Sequence, residues 1–103
     1  MQESQTRINP ENAVLLLENI FVRERFDWEK WDLRQMHLFV ESMKKIVDKT
    51  AWRGQEASLA KSLESSLDEL LTIIKNKDAT RVAAGHTHVE QALSDLRSAV
   101  FGL

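Results

Sequence analysis

The sequence predicts one all-α domain, an up-and-down bundle of four helices. Only three glycines and one proline occur in 103 residues, which leaves few residues for the tight turns of a many-stranded β fold. Leu, Ala, Glu, Lys, Arg and Gln, all good helix formers, dominate the composition. Apolar residues recur every three or four positions over long stretches, and the short stretches between them favour antiparallel neighbours.

We expect residues 1–8 to be a disordered lead-in and residues 9–103 to form a single helical-bundle domain. The predicted helices cover about 10–24, 28–49, 55–76 and 79–100. The first helix has Asn9 as its N-cap and Pro10 at its first helical position, a combination typical of helix starts. This helix is apolar on almost every side, so we expect it to be sandwiched between other helices.

The second helix is predicted to follow an Asp27 cap, and its apolar stripe is Leu33, Met36, Val40, Met43 and Val47. No glycine or proline lies between Glu11 and Arg53, so one continuous helix over 11–49 is an alternative. The shift in apolar phase and the charged residues near 24–27 favour a break there. Gly54 is expected to end the second helix as its left-handed terminator.

The third and fourth helices carry the clearest periodicity. The third helix has Leu59, Leu63, Leu67, Leu70 and Ile74 as its stripe. The fourth has Val82, Val89, Leu93, Leu96 and Val100. Asp78 is expected to cap the fourth helix, and Ala83, Ala84 and Ala92 to allow close approach of a neighbour.

Charge and composition argue against several classes of function. The net charge of −2 is spread evenly, so no basic field is available for nucleic acid or an anionic membrane surface. No apolar run approaches the length of a membrane span, and the absence of cysteine excludes disulfides and thiol chemistry. The N-terminus is polar and acidic, unlike a signal peptide.

We expect no catalytic, metal or cofactor site. His86 and His88 are two residues apart and point to opposite sides of a helix, so they cannot share a metal ion. Met36 and Met43 are interpreted as core residues rather than haem ligands, although a haem or metal-binding four-helix bundle is a further alternative. The carboxylates Glu64, Asp68 and Glu69 are expected to form a hydrated face, and the Glu-x-x-His pattern of di-iron bundles is absent.

Aromatic and arginine side chains are the candidate contacts for a protein partner, since Trp and Arg dominate interface hot spots. The alternative is that the aromatic residues seal the ends of the bundle. The candidates cluster around the start of the second helix and the following corner, and they are Arg23, Arg25, Phe26, Trp28, Trp31, Arg34, Trp52 and Arg53. Basic side chains are stabilised at the negative, C-terminal end of a helix dipole. Four of them lie near the end of the second helix and could also form a docking face: Lys44, Lys45, Lys49 and Arg53.

Residues 28–96 resemble the helical core of PsbQ-type proteins, the extrinsic luminal subunits of photosystem II. The similarity lies in Trp28, Asp32-Leu33-Arg34, Ile46-Val47, Ser58-Leu59, Leu67-Asp68-Glu69-Leu70, the lysines of 75–77, Ala92-Leu93 and Leu96. The proline-rich N-terminal arm and the tyrosines of that family are missing. The resemblance implies a non-enzymatic role on the luminal face of the thylakoid membrane, docking to the complex and stabilising the oxygen-evolving centre.

A second resemblance is to the small Trp-x-Gly proteins of type VII secretion, which are helical hairpins that dimerise. Trp52-Arg53-Gly54 sits at a predicted corner near mid-chain. The C-terminal Tyr-x-x-x-acidic signal of these proteins is absent, and four helices are predicted rather than two. This resemblance implies a secreted or cytoplasmic helical partner protein.

Overall fold

The computed structural model describes residues 7–23 and 33–102, and within them it confirms the all-α four-helix fold. The helices are α1 (Pro10–Arg23), α2 (Leu33–Asp48), α3 (Gln55–Lys75) and α4 (Ala79–Phe101). Each helix packs against the next, and α4 also packs against α1, which closes the bundle. None of the helices in these two described ranges is both long enough and apolar enough to span a membrane.

The start of α1 follows the predicted capping pattern and is also tied to a distant corner. The Asn9 side-chain oxygen accepts the backbone N–H of Asn12 at 2.8 Å. Ile8 donates its N–H to the carbonyl of Lys49 and accepts the N–H of Ala51, both at 3.0 Å. Ile8, which we assigned to the lead-in, therefore belongs to the folded domain, while residues 1–6 lie outside the described ranges.

Helices α1 and α2 are separate elements. The rings of Phe21 and Phe39 lie 6.3 Å apart between centroids. Residues this far apart in one straight helix would be separated by about 27 Å. The alternative of one helix over 11–49 is therefore wrong, while Asp27 and the predicted start at residue 28 lie outside the described residues.

The expectation that α1 is sandwiched between other helices is wrong. It packs against α2 and α4 with one side, which buries Ala13, Val14, Leu17 and Phe21. Leu15 and Leu16 lie on the other side and are 51% and 42% exposed. A helix can be apolar on every side and still have no neighbouring helix on one of those sides.

Gly54 serves a different helix from the one we predicted. Helix α2 already ends at Asp48, and Gly54 immediately precedes α3 with φ +51° and ψ −127°. Glycine is suited to this conformation because it has no Cβ. Gly54 therefore sets the direction in which the chain enters α3.

Close approach between α3 and α4 occurs at Gly85, and not at Ala83 or Ala84 as we predicted. Ala83 and Ala84 are exposed. A Cβ on Gly85 would lie 3.0 Å from Cδ1 of Leu70 and 3.1 Å from Cδ1 of Ile73. Of the three predicted alanines only Ala92 is buried.

The core otherwise follows the predicted stripes. In α2 the buried residues are Met36, Phe39, Val40, Met43 and Val47, and the side chain of Leu33 lies outside the described residues. In α3 and α4 the buried stripe residues are Leu63, Leu67, Leu70, Val82, Val89, Leu93 and Leu96. The stripe residues Leu59, Ile74 and Val100 are half-buried and pack on the edge of the core, and α3 adds the buried residues Leu71 and Ile73.

Candidate functional site

The predicted partner-binding residues divide into those that the structure describes and those that it does not. Arg25, Phe26, Trp28 and Trp31 lie outside the described residues, and so does the side chain of Arg23. Their role stays a prediction. Arg34, Trp52 and Arg53 are described, and each has a different environment.

Trp52 closes the corner between α2 and α3. Its indole is half-buried against the hydrophobic core, and its Nε1–H donates to the carbonyl of Val47 at 2.9 Å. That carbonyl is among the last four of α2, which have no partner within the helix. The Trp52 indole therefore provides a hydrogen-bond donor for this carbonyl at the end of α2, and it also covers part of the hydrophobic core.

Arg53 is bound within the chain on two sides. Its Nη2 lies 2.9 Å from Oε2 of Glu11, and its Nε lies 3.5 Å from Oε1 of Glu56. Glu56 also accepts the backbone N–H of Arg53 at 3.0 Å. A hydrogen bond from the backbone of Glu11 itself, and then the Arg53 guanidinium, lower the pKa of the Glu11 carboxyl. These bonds join the first turn of α1 to the corner before α3.

The four cations predicted near the end of helix two do not form one free face. Lys44 binds Asp68 with 2.7 Å between Nζ and Oδ1, and this hydrogen bond raises the pKa of Lys44. Arg53 is held as described above. Lys45 and Lys49 are exposed and form no ion pair with any residue in the described ranges.

The outward face of α2 combines basic groups with an exposed leucine. Arg34, Leu38 and Lys45 follow one another at spacings of four and seven residues, which places them along one side of the helix. Leu38 is 56% exposed, the largest fraction of any large hydrophobic residue that the structure describes. We call these three residues the α2 stripe. Our reading of the sequence missed Leu38, although its position between the core residues Met36 and Val40 puts it on the opposite side of the helix.

The predicted hydrated face of carboxylates is hydrated only in part. Asp68 and Glu69 are exposed, as expected, but Glu64 is half-buried. Burial raises the pKa of Glu64, and a hydrogen bond with Asp48 raises it further. The expectation is therefore wrong at Glu64, which packs at the contact between α2 and α3.

The histidines point to opposite sides of α4, as the spacing predicted. The ring of His86 stacks on Phe21 with centroids 4.9 Å apart. His88 pairs with Glu69 at 2.8 Å between Nδ1 and Oε1, at a site where both side chains are about half exposed. Across the described ranges, no group of three His, Asp or Glu side chains could hold a metal ion.

Comparisons of the chain with models of known protein families, with curated proteins and with solved structures found no match.

Proposed function

We propose that this chain is a non-enzymatic docking or stabilising subunit of a larger protein complex, and that the α2 stripe is part of its contact surface. The observation that carries the proposal is Leu38, 56% exposed on the same side of α2 as Arg34 and Lys45. Apolar side chains at the centre and charged groups at the rim are the usual arrangement of a protein interface.

The charge of the stripe indicates the chemistry of the partner. Lys44 and Arg53 are neutralised by carboxylates of the same chain, whereas Arg34 and Lys45 form no ion pair with any carboxylate of residues 7–23 and 33–102. Glu41 lies between Leu38 and Lys45 on this side of α2 and offsets part of the charge of Lys45. A partner surface with an apolar hollow for Leu38 and a carboxylate facing Arg34 would complement the α2 stripe. Rim charges act mainly on the association rate and make it depend on ionic strength.

More specifically, we propose a PsbQ-like extrinsic subunit, bound peripherally on the luminal side of photosystem II in the thylakoid. The resemblance over residues 28–96 supports this proposal, and the four-helix fold agrees with it. Trp28 and Trp31 stay candidate contacts predicted from the sequence, and they lie outside the described residues.

Fractionation of the cells that produce the protein tests the docking role. We expect the chain to sediment with membranes and to be released in high salt, because the α2 stripe contributes charged contacts that salt screens. Recovery of the whole amount in the soluble fraction at low salt would contradict the proposed membrane complex. Co-purification with a luminal complex would support the PsbQ-like assignment, and a soluble partner would contradict it.

Leu38→Glu tests the surface itself. The variant places a carboxylate in the centre of the α2 stripe, where it should lower recovery of the partner by about tenfold or more. Phe101→Glu is the matched control, because Phe101 is also an exposed large hydrophobic residue but lies at the end of α4, which does not pack against α2. If both variants reduce partner recovery equally, or if neither does, the α2 stripe is not the contact surface.

A further inference from the structure

The outward face of α1 is apolar where it faces solvent. Leu15 and Leu16 are 51% and 42% exposed, and Asn12 and Asn19 lie on the same side of the helix. Asn12 and Asn19 are seven residues apart, which is close to two helical turns. Their directions around the helix axis therefore differ by only about 20°. The two leucines therefore project between the asparagines, one to each side of the line that joins them. We call these four residues the α1 face.

The two carboxylates of α1 are held by other elements of the chain, while the side chain of Arg23 lies outside the described residues. Glu11 binds Arg53 at 2.9 Å, and Glu18 binds Arg97 of α4. Both carboxylates are thereby neutralised by neighbouring elements of the same chain. Arg7 lies beside the α1 face, so two such faces could meet without bringing unpaired carboxylates of α1 together, with Arg7 at the edge of the contact.

The order of residues on the α1 face is the same in both directions, Asn-x-x-Leu-Leu-x-x-Asn. An antiparallel pair of such helices, with a twofold axis beside the Leu15–Leu16 peptide, places Asn12 of each copy opposite Asn19 of the other. A carboxamide both donates and accepts hydrogen bonds, so each Asn–Asn pair can be satisfied across the axis. The leucines of both copies would then lie together at the centre.

We infer that the α1 face is a self-association surface, through which two copies of this chain form an antiparallel, twofold-symmetric dimer. Self-complementarity is what a twofold interface requires, because the same patch serves both partners. A surface for an unrelated protein has no such requirement. The inference goes beyond the proposed docking function, which uses α2.

One helix face on each copy is smaller than a standard stable interface of about 1,200–2,000 Å². We therefore expect a dimer that dissociates on dilution through the micromolar range. Sedimentation equilibrium of the full chain, from low micromolar to millimolar concentration, should show a monomer–dimer transition.

Leu16→Glu should weaken the dimer by about tenfold or more, because it places two carboxylates beside the twofold axis. Leu38→Glu on α2 is the matched control and should leave dimerisation unchanged. Both leucines are exposed, so neither variant should unfold the chain, and circular dichroism checks this. Loss of the dimer in Leu16→Glu alone would support the α1 face, and equal effects of the two variants would overturn it.

The register is tested by the double variant Asn12→Asp, Asn19→Lys. In the antiparallel arrangement it creates two opposite-charge pairs between copies, so dimerisation should become tighter at low salt and lose this gain at high salt. A weaker dimer at low salt would overturn the antiparallel register. A chain that stays monomeric at millimolar concentration would overturn the inference altogether. The inference would also be overturned if the monomer bound a protein of different sequence through Leu15 and Leu16.

Discussion

Substitution of Gly85 by alanine measures how closely α3 and α4 approach each other. The added methyl group would lie 3.0 Å from Cδ1 of Leu70 and 3.1 Å from Cδ1 of Ile73. The best separation of two such carbon atoms is about 3.5–4.0 Å. Leu70 is fully buried, so its side chain cannot move away without displacing other core atoms, whereas Ile73 borders a surface cavity beside Gly85.

Two effects of opposite sign determine the size of the change. Alanine is favoured over glycine inside a helix by about 1 kcal/mol. Extra methyl groups in a well-packed core cost about 1–3 kcal/mol. We expect the second effect to prevail, so that Gly85→Ala lowers the free energy of unfolding by about 1 kcal/mol. For a domain of this size, such a loss lowers Tm by about 4–8 °C.

Urea unfolding followed by circular dichroism measures this free energy, and two further variants isolate the steric part. Ala84→Gly is exposed in the same turn and should lose about 1 kcal/mol from backbone conformation alone. Ile73→Val removes the Cδ1 atom that the new methyl group meets, so it should cost less in the Gly85→Ala background than in the natural chain. A Gly85→Ala protein that is more stable by about 1 kcal/mol would refute the close packing of α3 and α4 at Gly85.

Three further substitutions test other parts of the fold. Burial and Asp48 raise the pKa of Glu64 in the folded state, so the favourable contribution of its protonated form is present in acid and lost as pH rises through that pKa. Glu64→Gln should therefore raise the free energy of unfolding at neutral pH, and raise it less in acid. Urea unfolding at both pH values measures this gain, and a gain independent of pH would contradict the prediction. Asn9→Ala removes the N-cap bond of α1 and should cost about 1 kcal/mol in the same assay, whereas no change would mean that the cap is unimportant. Leu67→Ala empties a fully buried position and should cost about 2–5 kcal/mol by thermal or urea unfolding, and a cost below 1 kcal/mol would contradict its place in the core.

The sequence was sufficient for the features that depend on local chemistry. The Asn9-Pro10 start of α1 and the core stripes of α2, α3 and α4 follow from capping and periodicity, which act over a few residues. Periodicity identifies the inward side of a helix but not the distance to its neighbour. For that reason the close approach at Gly85 could not be distinguished in advance from one at Ala83 or Ala84.

Features that depend on distant parts of the chain were harder to predict. The sequence pattern of an apolar helix is the same whether another helix or water lies on its outer side. The exposure of Leu15 and Leu16 could therefore not be predicted. The pairing of Ile8 with the corner after α2 leaves no trace in residues 1–8. Arg34 could be proposed as a contact from its residue type, but its alignment with Leu38 required knowledge of which side of α2 faces the core.

The backbone pairing at Ile8 has a consequence for the order of folding. It joins Ile8 to Thr50, positions far apart in the chain, whereas α3 and α4 are linked by a short turn around Lys77. Contacts between nearby segments cost less chain entropy and form sooner, so α3 and α4 should associate before α1 docks. The amides of Ile8 and Ala51 both donate across this pairing and lie outside every helix. Their protection from hydrogen exchange would therefore report the docking of α1 separately from the formation of the helices themselves.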